Sequence, residues 1–246
     1  MKAIIFSVFA ITVSICCFGQ QPPLIDAEQN LRTLGNLTPL SAGAIGFDNR
    51  YEGIKGTPFL FDEFHTGSIL FVKQDTFSTP VKMNVDLITQ TITVQLRDGS
   101  MGEITAAYVQ AIKVSDPASP RKTRSFIVAN EGAVEGMKSV RPKFYEALYK
   151  GEFMFLKAVQ KKFRKADYAG AYSADRRYDE FLTEEAYWLK SPKSAYEKIN
   201  PKRKDILKTL SAYESEIEKI AKEKKLGLNG EEDISKLLEF LEASLR

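Results

Sequence analysis

Thr91-Ile92-Thr93-Val94-Gln95-Leu96-Arg97 alternates polar and apolar side chains without a break. On an extended strand successive side chains point to opposite faces, so Ile92, Val94 and Leu96 share one face of a half-buried strand. Just upstream, Val81, Met83, Val85 and Leu87 alternate in the same way with Lys82, Asn84 and Asp86. Asp98-Gly99 follows as a tight-turn pair. Two consecutive strands of this kind, each with one wet face, are the pattern of an antiparallel sheet.

Working outward, the same reading extends in both directions. Ser68 to Val72 is an apolar run between Gly67 and Lys73-Gln74-Asp75, which predicts a buried strand. Further strands are predicted at Tyr108–Val114, Ser125–Ala129, Phe144–Lys150 and Phe153–Val159, with Lys150-Gly151 turning the last pair. Phe163 to about Lys198 is rich in tyrosine and charge and holds no sustained period. A long loop is expected there, then one or two strands around Tyr178–Leu182 and Ala186–Lys190, ended by Ser191-Pro192. Turn signals at strand-length spacing favour a meander, a sandwich or a partial barrel over βαβ units.

After Pro201 the period becomes helical. Tyr213, Ile217, Ile220 and Ala221 recur on one helical face, and Ile234, Leu237, Leu238, Leu241 and Leu245 line another. Glu231, Glu232 and Asp233 would occupy the first turn of the last helix, where the helix dipole favours acids, and Asn229 or Gly230 would cap it. The fold class expected is therefore α+β: an antiparallel β-rich body over 51–198, then a C-terminal helical hairpin over 201–246.

The N-terminus reads as a secretory leader. Lys2 precedes a short apolar run from Ala3 to Phe18, and polar Gln20-Gln21-Pro22-Pro23 follows. The expected leader is 1–20 and the weakly patterned segment 21–50 approaches the body. Cys16 and Cys17 both fall in the leader, so the mature chain would hold no cysteine and form no disulfide or thiolate metal site. Ile15 before Cys16 fits a lipid-anchoring signal poorly, which leaves the anchored form as the lesser alternative. No later run is long enough to span a bilayer. The expected location is periplasmic or extracellular.

Gly53-Ile-Lys-Gly-Thr-Pro-Phe-Leu-Phe-Asp-Glu-Phe-His-Thr-Gly-Ser-Ile-Leu, Phe144-Tyr-Glu-Ala-Leu-Tyr-Lys-Gly151 and Glu231-Glu-Asp-Ile-Ser-Lys-Leu-Leu-Glu-Phe240 stand in that order. With the Lys-rich stretch after Pro201, they resemble a family of secreted Bacteroidota proteins with a β-rich body and a Lys-rich C-terminal helical hairpin. The resemblance implies an extracytoplasmic protein and transfers no catalytic residue.

Composition excludes more than it assigns. Thirty-five basic against 32 acidic residues leave a net charge of +3, too small a field to mark a nucleic-acid binder. The single histidine, His65, cannot build a His-rich zinc site, and it sits in Glu63-Phe64-His65-Thr66-Gly67, which reads as an exposed turn. No phosphate-cradling glycine loop and no nucleophile elbow occur. Carboxylates such as Asp62, Glu63 and Asp86 read as strand ends and solvated faces, although two acids on different strands would suffice for glycan hydrolysis.

Nearly half of the aromatic residues lie between Phe144 and Tyr196. Most fit sheet packing, where Tyr and Phe are common. Tyr168, Tyr172, Tyr187 and Trp188 fall in or beside the irregular part and are the candidates for a partner-binding surface. The function expected is a non-enzymatic binding or assembly protein of the cell envelope, recognising an envelope protein or glycan, with no cofactor, metal or catalytic residue. The alternative is a carboxylate-dependent hydrolase of an envelope glycan.

Overall fold

The computed structural model describes residues 26, 38–39, 54–116, 119–166 and 178–246. The leader, nearly all of the approach segment, Tyr168 and Tyr172 lie outside the described residues. The strands are β1 (Thr38–Pro39), β2 (His65–Phe71), β3 (Val81–Asp86), β4 (Thr91–Gln95), β5 (Met101–Thr105), β6 (Val109–Asp116), β7 (Ser119–Asn130), β8 (Pro142–Lys150), β9 (Met154–Arg164), β10 (Glu180–Lys190) and β11 (Glu197–Ile199). The helices are α1 (Glu131–Glu135), α2 (Arg203–Thr209), α3 (Glu214–Lys224) and α4 (Glu231–Leu245).

All strands join one open antiparallel sheet in the order β1-β5-β4-β3-β2-β6-β7-β8-β9-β10-β11. The α+β class read from the sequence is thus the observed one, built as two meanders. β2 to β5 run one way across the sheet, and β6 returns to pair with the free side of β2. The apolar residues that predicted the first strands are core: Met83, Val85, Ile92 and Val94 are fully buried, but Asn84, Asp86 and Thr93 between them are buried as well, so these strands are covered on both faces over much of their length.

Of the one or two strands expected around Tyr178–Leu182 and Ala186–Lys190, the structure has a single long one, β10, paired with β9 over its whole length from Glu180↔Arg164 to Lys190↔Met154. Its central Thr183-Glu184-Glu185 is exposed, which is why no apolar period marks it. His65 is no exposed turn residue. It opens β2, half-buried, with its ring edge-on to Phe61 at 4.9 Å.

The segment before β2 forms a strap between distant parts of the sheet. Lys55 N donates to Asp179 O and Phe181 N donates to Lys55 O at the start of β10. A few residues on, Leu60 N donates to Val85 O and Leu87 N to Pro58 O at the end of β3. Asn84, almost fully buried, locks the strap: its Oδ1 accepts from Phe61 N (3.2 Å) and its Nδ2 donates to Phe61 O (2.8 Å). Phe61 thereby packs into the core of the first meander with Ile69, Phe71 and Val85.

The helices cover the other end of the same face. Ile234, Leu237, Leu238 and Leu241 of α4 are fully buried and pack with Phe153, Phe155 and Leu189 of the sheet and Ile217 of α3. Burying side chains of this size contributes roughly 1.5–3 kcal/mol each. Gly230, with φ +92°, enters α4 in a backbone conformation that a side chain would strain. Among the described residues no helix is long and apolar enough to cross a membrane.

Candidate functional site

Tyr187 and Trp188 are neighbours in β10, so the sheet sends them to opposite faces. Trp188 joins Val134, Tyr145, Leu156 and Ala158 in a compact core beneath α1 and is only 8% exposed. As placed, it offers no aromatic surface to a partner. Its Nε1 is buried without a hydrogen-bond partner among the described residues.

Tyr187 faces the helices. The register Phe126↔Glu146, Glu146↔Lys157, Lys157↔Tyr187 sets these four side chains in one row across β7 to β10. Glu231, from the first turn of α4, reaches down to this row. Lys157 Nζ lies 2.8 Å from Glu185 Oε1 and 2.9 Å from Glu231 Oε1. Tyr187 Oη lies 2.7 Å from Glu231 Oε1 and 3.0 Å from Glu185 Oε2. One place along β7, Arg124 makes a two-pronged contact with Glu146, Nε at 2.7 Å and Nη2 at 2.6 Å. The Arg124 guanidinium also lies over the rings of Phe61 and Phe126. Such pairs are the stronger hydrogen bonds of a protein.

The electrostatics hold Lys157, Glu185 and Tyr187 in their ordinary charge states. Burial works against the Lys157 ammonium, but hydrogen bonds to Glu185 and Glu231 outweigh it and raise its pKa. Burial also works against the Glu185 carboxylate, yet Lys157 and the Tyr187 hydroxyl hold it below the usual range. Burial, reinforced by Glu231 and Glu185, pushes the Tyr187 phenol far above its ordinary value. An ammonium held between two carboxylates fastens α4 to the sheet; Lys157 is raised and Glu185 lowered, the opposite of what a general base amine and a general acid carboxyl need.

A second cluster lies on the opposite face. Lys143 is buried, with Nζ 2.6 Å from Glu135 Oε1 and 3.5 Å from Glu131 Oε1, and Tyr145 Oη donates to the same Glu135 oxygen at 2.9 Å. This pins α1 over Trp188. Asp86, weighed as a catalytic acid, is buried and accepts from Ile88 N and Thr89 N, a turn-forming role. Asp62 and Glu63 are exposed. Among the described residues no three His, Cys, Asp or Glu side chains gather as metal ligands.

Sequence reasoning singled out Tyr187 as a partner-binding aromatic, not as a member of this cluster, and did not single out Glu146, Lys157 or Glu185. The available signal was a charge inside an apolar strand: Lys157 within Phe155-Leu156-Lys157-Ala158-Val159, and Glu146 within Phe144-Tyr145-Glu146-Ala147-Leu148. Among the described residues the exposed aromatics are Tyr178, Tyr108 and Phe163, of which Tyr178 and Phe163 stand together at the far end of the β9–β10 pair. Phe163 is 41% and Tyr178 66% exposed, and Phe163 leans on Phe181 with ring centroids 5.4 Å apart. No protein-family model, no curated protein and no solved structure matches the chain.

Proposed function

We propose that the protein is an exported, non-enzymatic binding or assembly protein of the cell envelope, recognising an envelope protein or glycan. The N-terminal leader pattern and the resemblance to secreted Bacteroidota proteins support export. The observation that carries the non-enzymatic reading is the tie of Glu185 and Glu231 to one ammonium, Lys157. A glycan hydrolase needs one carboxyl kept protonated as general acid, and an ammonium in contact with both acids opposes that. The aromatics offered to a partner are then Phe163 and Tyr178, with Tyr187 committed to the clamp.

The test incubates the chain from Gln21 onward with envelope fractions of the native host. The reading expects sedimentation with the envelope, reduced by a Phe163→Ser/Tyr178→Ser double variant, and no release of reducing sugar ends. Release of reducing ends that disappears in Glu185→Gln or Glu231→Gln would establish the hydrolase instead.

A further inference from the structure

The outer edge of β10 is paired only at its two ends. Lys55 O in the strap accepts from Phe181 N, and β11 pairs with Tyr187, Trp188 and Leu189. Between them Leu182 to Ala186 have β9 on one side and, among the described residues, no backbone partner on the other. Along a regular strand the N–H and C=O of successive residues turn to alternate sides. Phe181 N points outward to the strap, so Thr183 and Glu185 direct their N–H and C=O outward as well. Thr183, Glu184 and Glu185 are exposed. The open stretch is about 17 Å long, at ~3.4 Å per residue.

The side chains of this stretch say what would pair with it. Glu184 shares a face with Leu182 and Ala186, both half-buried, two places to either side. Its carboxylate lies 3.8 Å from Lys162 Nζ, with both side chains open to water, and a pair of that kind holds weakly. The neighbouring acids are more firmly engaged, Glu185 by Lys157 and Glu180 by Arg164. A second copy of the chain does not fit. The antiparallel self-pairing that uses both Thr183 and Glu185 centres on Glu184 and sets that carboxylate against its own copy, which is repulsive. It would also drive the strap and β11 of one copy into those of the other.

We propose that this edge receives an extended peptide segment as an added strand, with a Lys or Arg opposite Glu184 and apolar side chains opposite Leu182 and Ala186. The segment's backbone hydrogen-bonds to Thr183 and Glu185, while the ion pair and the apolar pairs select its sequence. The strap and β11 limit the added strand to the length of Leu182–Ala186, so the segment belongs to a flexible tail or loop and not to a strand of a folded sheet. The proposal rests on the reading of a binding protein and names the chemistry of what is bound.

A fluorescently labelled, end-capped peptide TVTKTVT, palindromic so that it serves either strand direction, is titrated with the chain from Gln21 onward. Saturable binding is expected, with the amides of Thr183 and Glu185 gaining protection from hydrogen exchange. Thr183→Pro removes an outward N–H and spares the ladder to β9, so binding should be lost at a melting temperature near the parent's. Glu184→Lys should weaken TVTKTVT by about fivefold and strengthen TVTETVT, the scale of a cross-strand charge pair. That reversal decides the matter should the proline variant fail to fold. No saturable binding, binding unmoved by both substitutions, or Thr183 and Glu185 amides already protected in the free chain would overturn the proposal. Envelope sedimentation that persists without peptide binding would overturn this edge as the site and leave the envelope reading in place; peptide binding without sedimentation would do the reverse.

Discussion

The carboxylate of Glu242 occupies the space that a side chain on residue 151 would fill. A Cβ placed on Gly151 falls inside the Glu242 carboxyl group. That carboxylate accepts from Tyr149 Oη at 2.8 Å and from Glu152 N at 2.9 Å, so the end of α4 is seated on the β8–β9 turn through one buried acid. The turn glycine that the sequence offered as a hairpin signal is thus also a docking requirement.

Gly151→Ala should therefore lower the melting temperature by several degrees, although its backbone lies outside the left-handed region. In a Glu242→Ala background the same substitution should cost far less, because the clash is gone. Thermal unfolding of the two single variants and the double variant checks this; additive effects would show that the space is not shared.

Acid and alkali should each act through this contact. Chiefly the hydrogen bond from Tyr149 holds the Glu242 carboxyl below the ordinary glutamate value. A depressed carboxyl stabilises the fold above its unfolded pKa of about 4.3 and loses that contribution as pH falls through the folded value. Burial and Glu242 push the Tyr149 phenol up to about 12. That contribution is complete below the unfolded pKa of about 10 and is lost as pH rises through the folded one. Urea midpoints against pH should fall less steeply below pH ~4 in Glu242→Gln, and less steeply above pH ~10 in Tyr149→Phe, than in the parent.

Lys157→Met should destabilise the protein by about 1–2 kcal/mol, less than for a fully buried pair because water reaches both carboxylates. A cycle with Glu231→Gln should reveal coupling between the two positions, since each single change leaves a partner stranded. Chemical denaturation measures both quantities, and independent effects would remove the clamp from the account of how α4 is held.

Trp188 should emit at short wavelength and resist iodide quenching, given its place beneath α1. Trp188→Phe should cost no more than about 1 kcal/mol, because deleting an unpartnered buried N–H recovers part of what the lost ring area gives up. Trp188→Ala should cost about 3–5 kcal/mol, the usual range for an emptied aromatic site. A red-shifted, readily quenched signal would place the ring in water.

Two periods carried the fold into the sequence. The twofold alternation at Val81–Leu87 and Thr91–Arg97 marks strands, although Asn84, Asp86 and Thr93 on its polar side are buried too, and the stripe from Ile234 to Leu241 marks a helix with one face buried. The two ends of β10 were legible but its continuity was not, because its middle is wet on both sides and neither period is imposed on Thr183-Glu184-Glu185. β11 and α1 are too short to show a period at all. The clamp was illegible for another reason: Glu231 and Lys157 belong to a helix and a strand far apart in the chain, and only the docking of α4 brings them together. A lone charge in a buried strand announces that a partner exists without naming it.

The two-meander order also bears on how the chain acquires its shape. From β2 to β5 and from β6 to β11, each strand finds its partner in the next one made, so most pairing closes short loops. β1 with β5 and β2 with β6 pair over longer loops, and the strap reaches further still. Lys55 is among the first described residues to emerge during synthesis, yet its hydrogen-bond partners Asp179 and Phe181 arrive only once nearly all of the sheet exists. Folding that proceeds from the N-terminus leaves Lys55 waiting, and the last strands act as the catch that fastens the first described part of the chain.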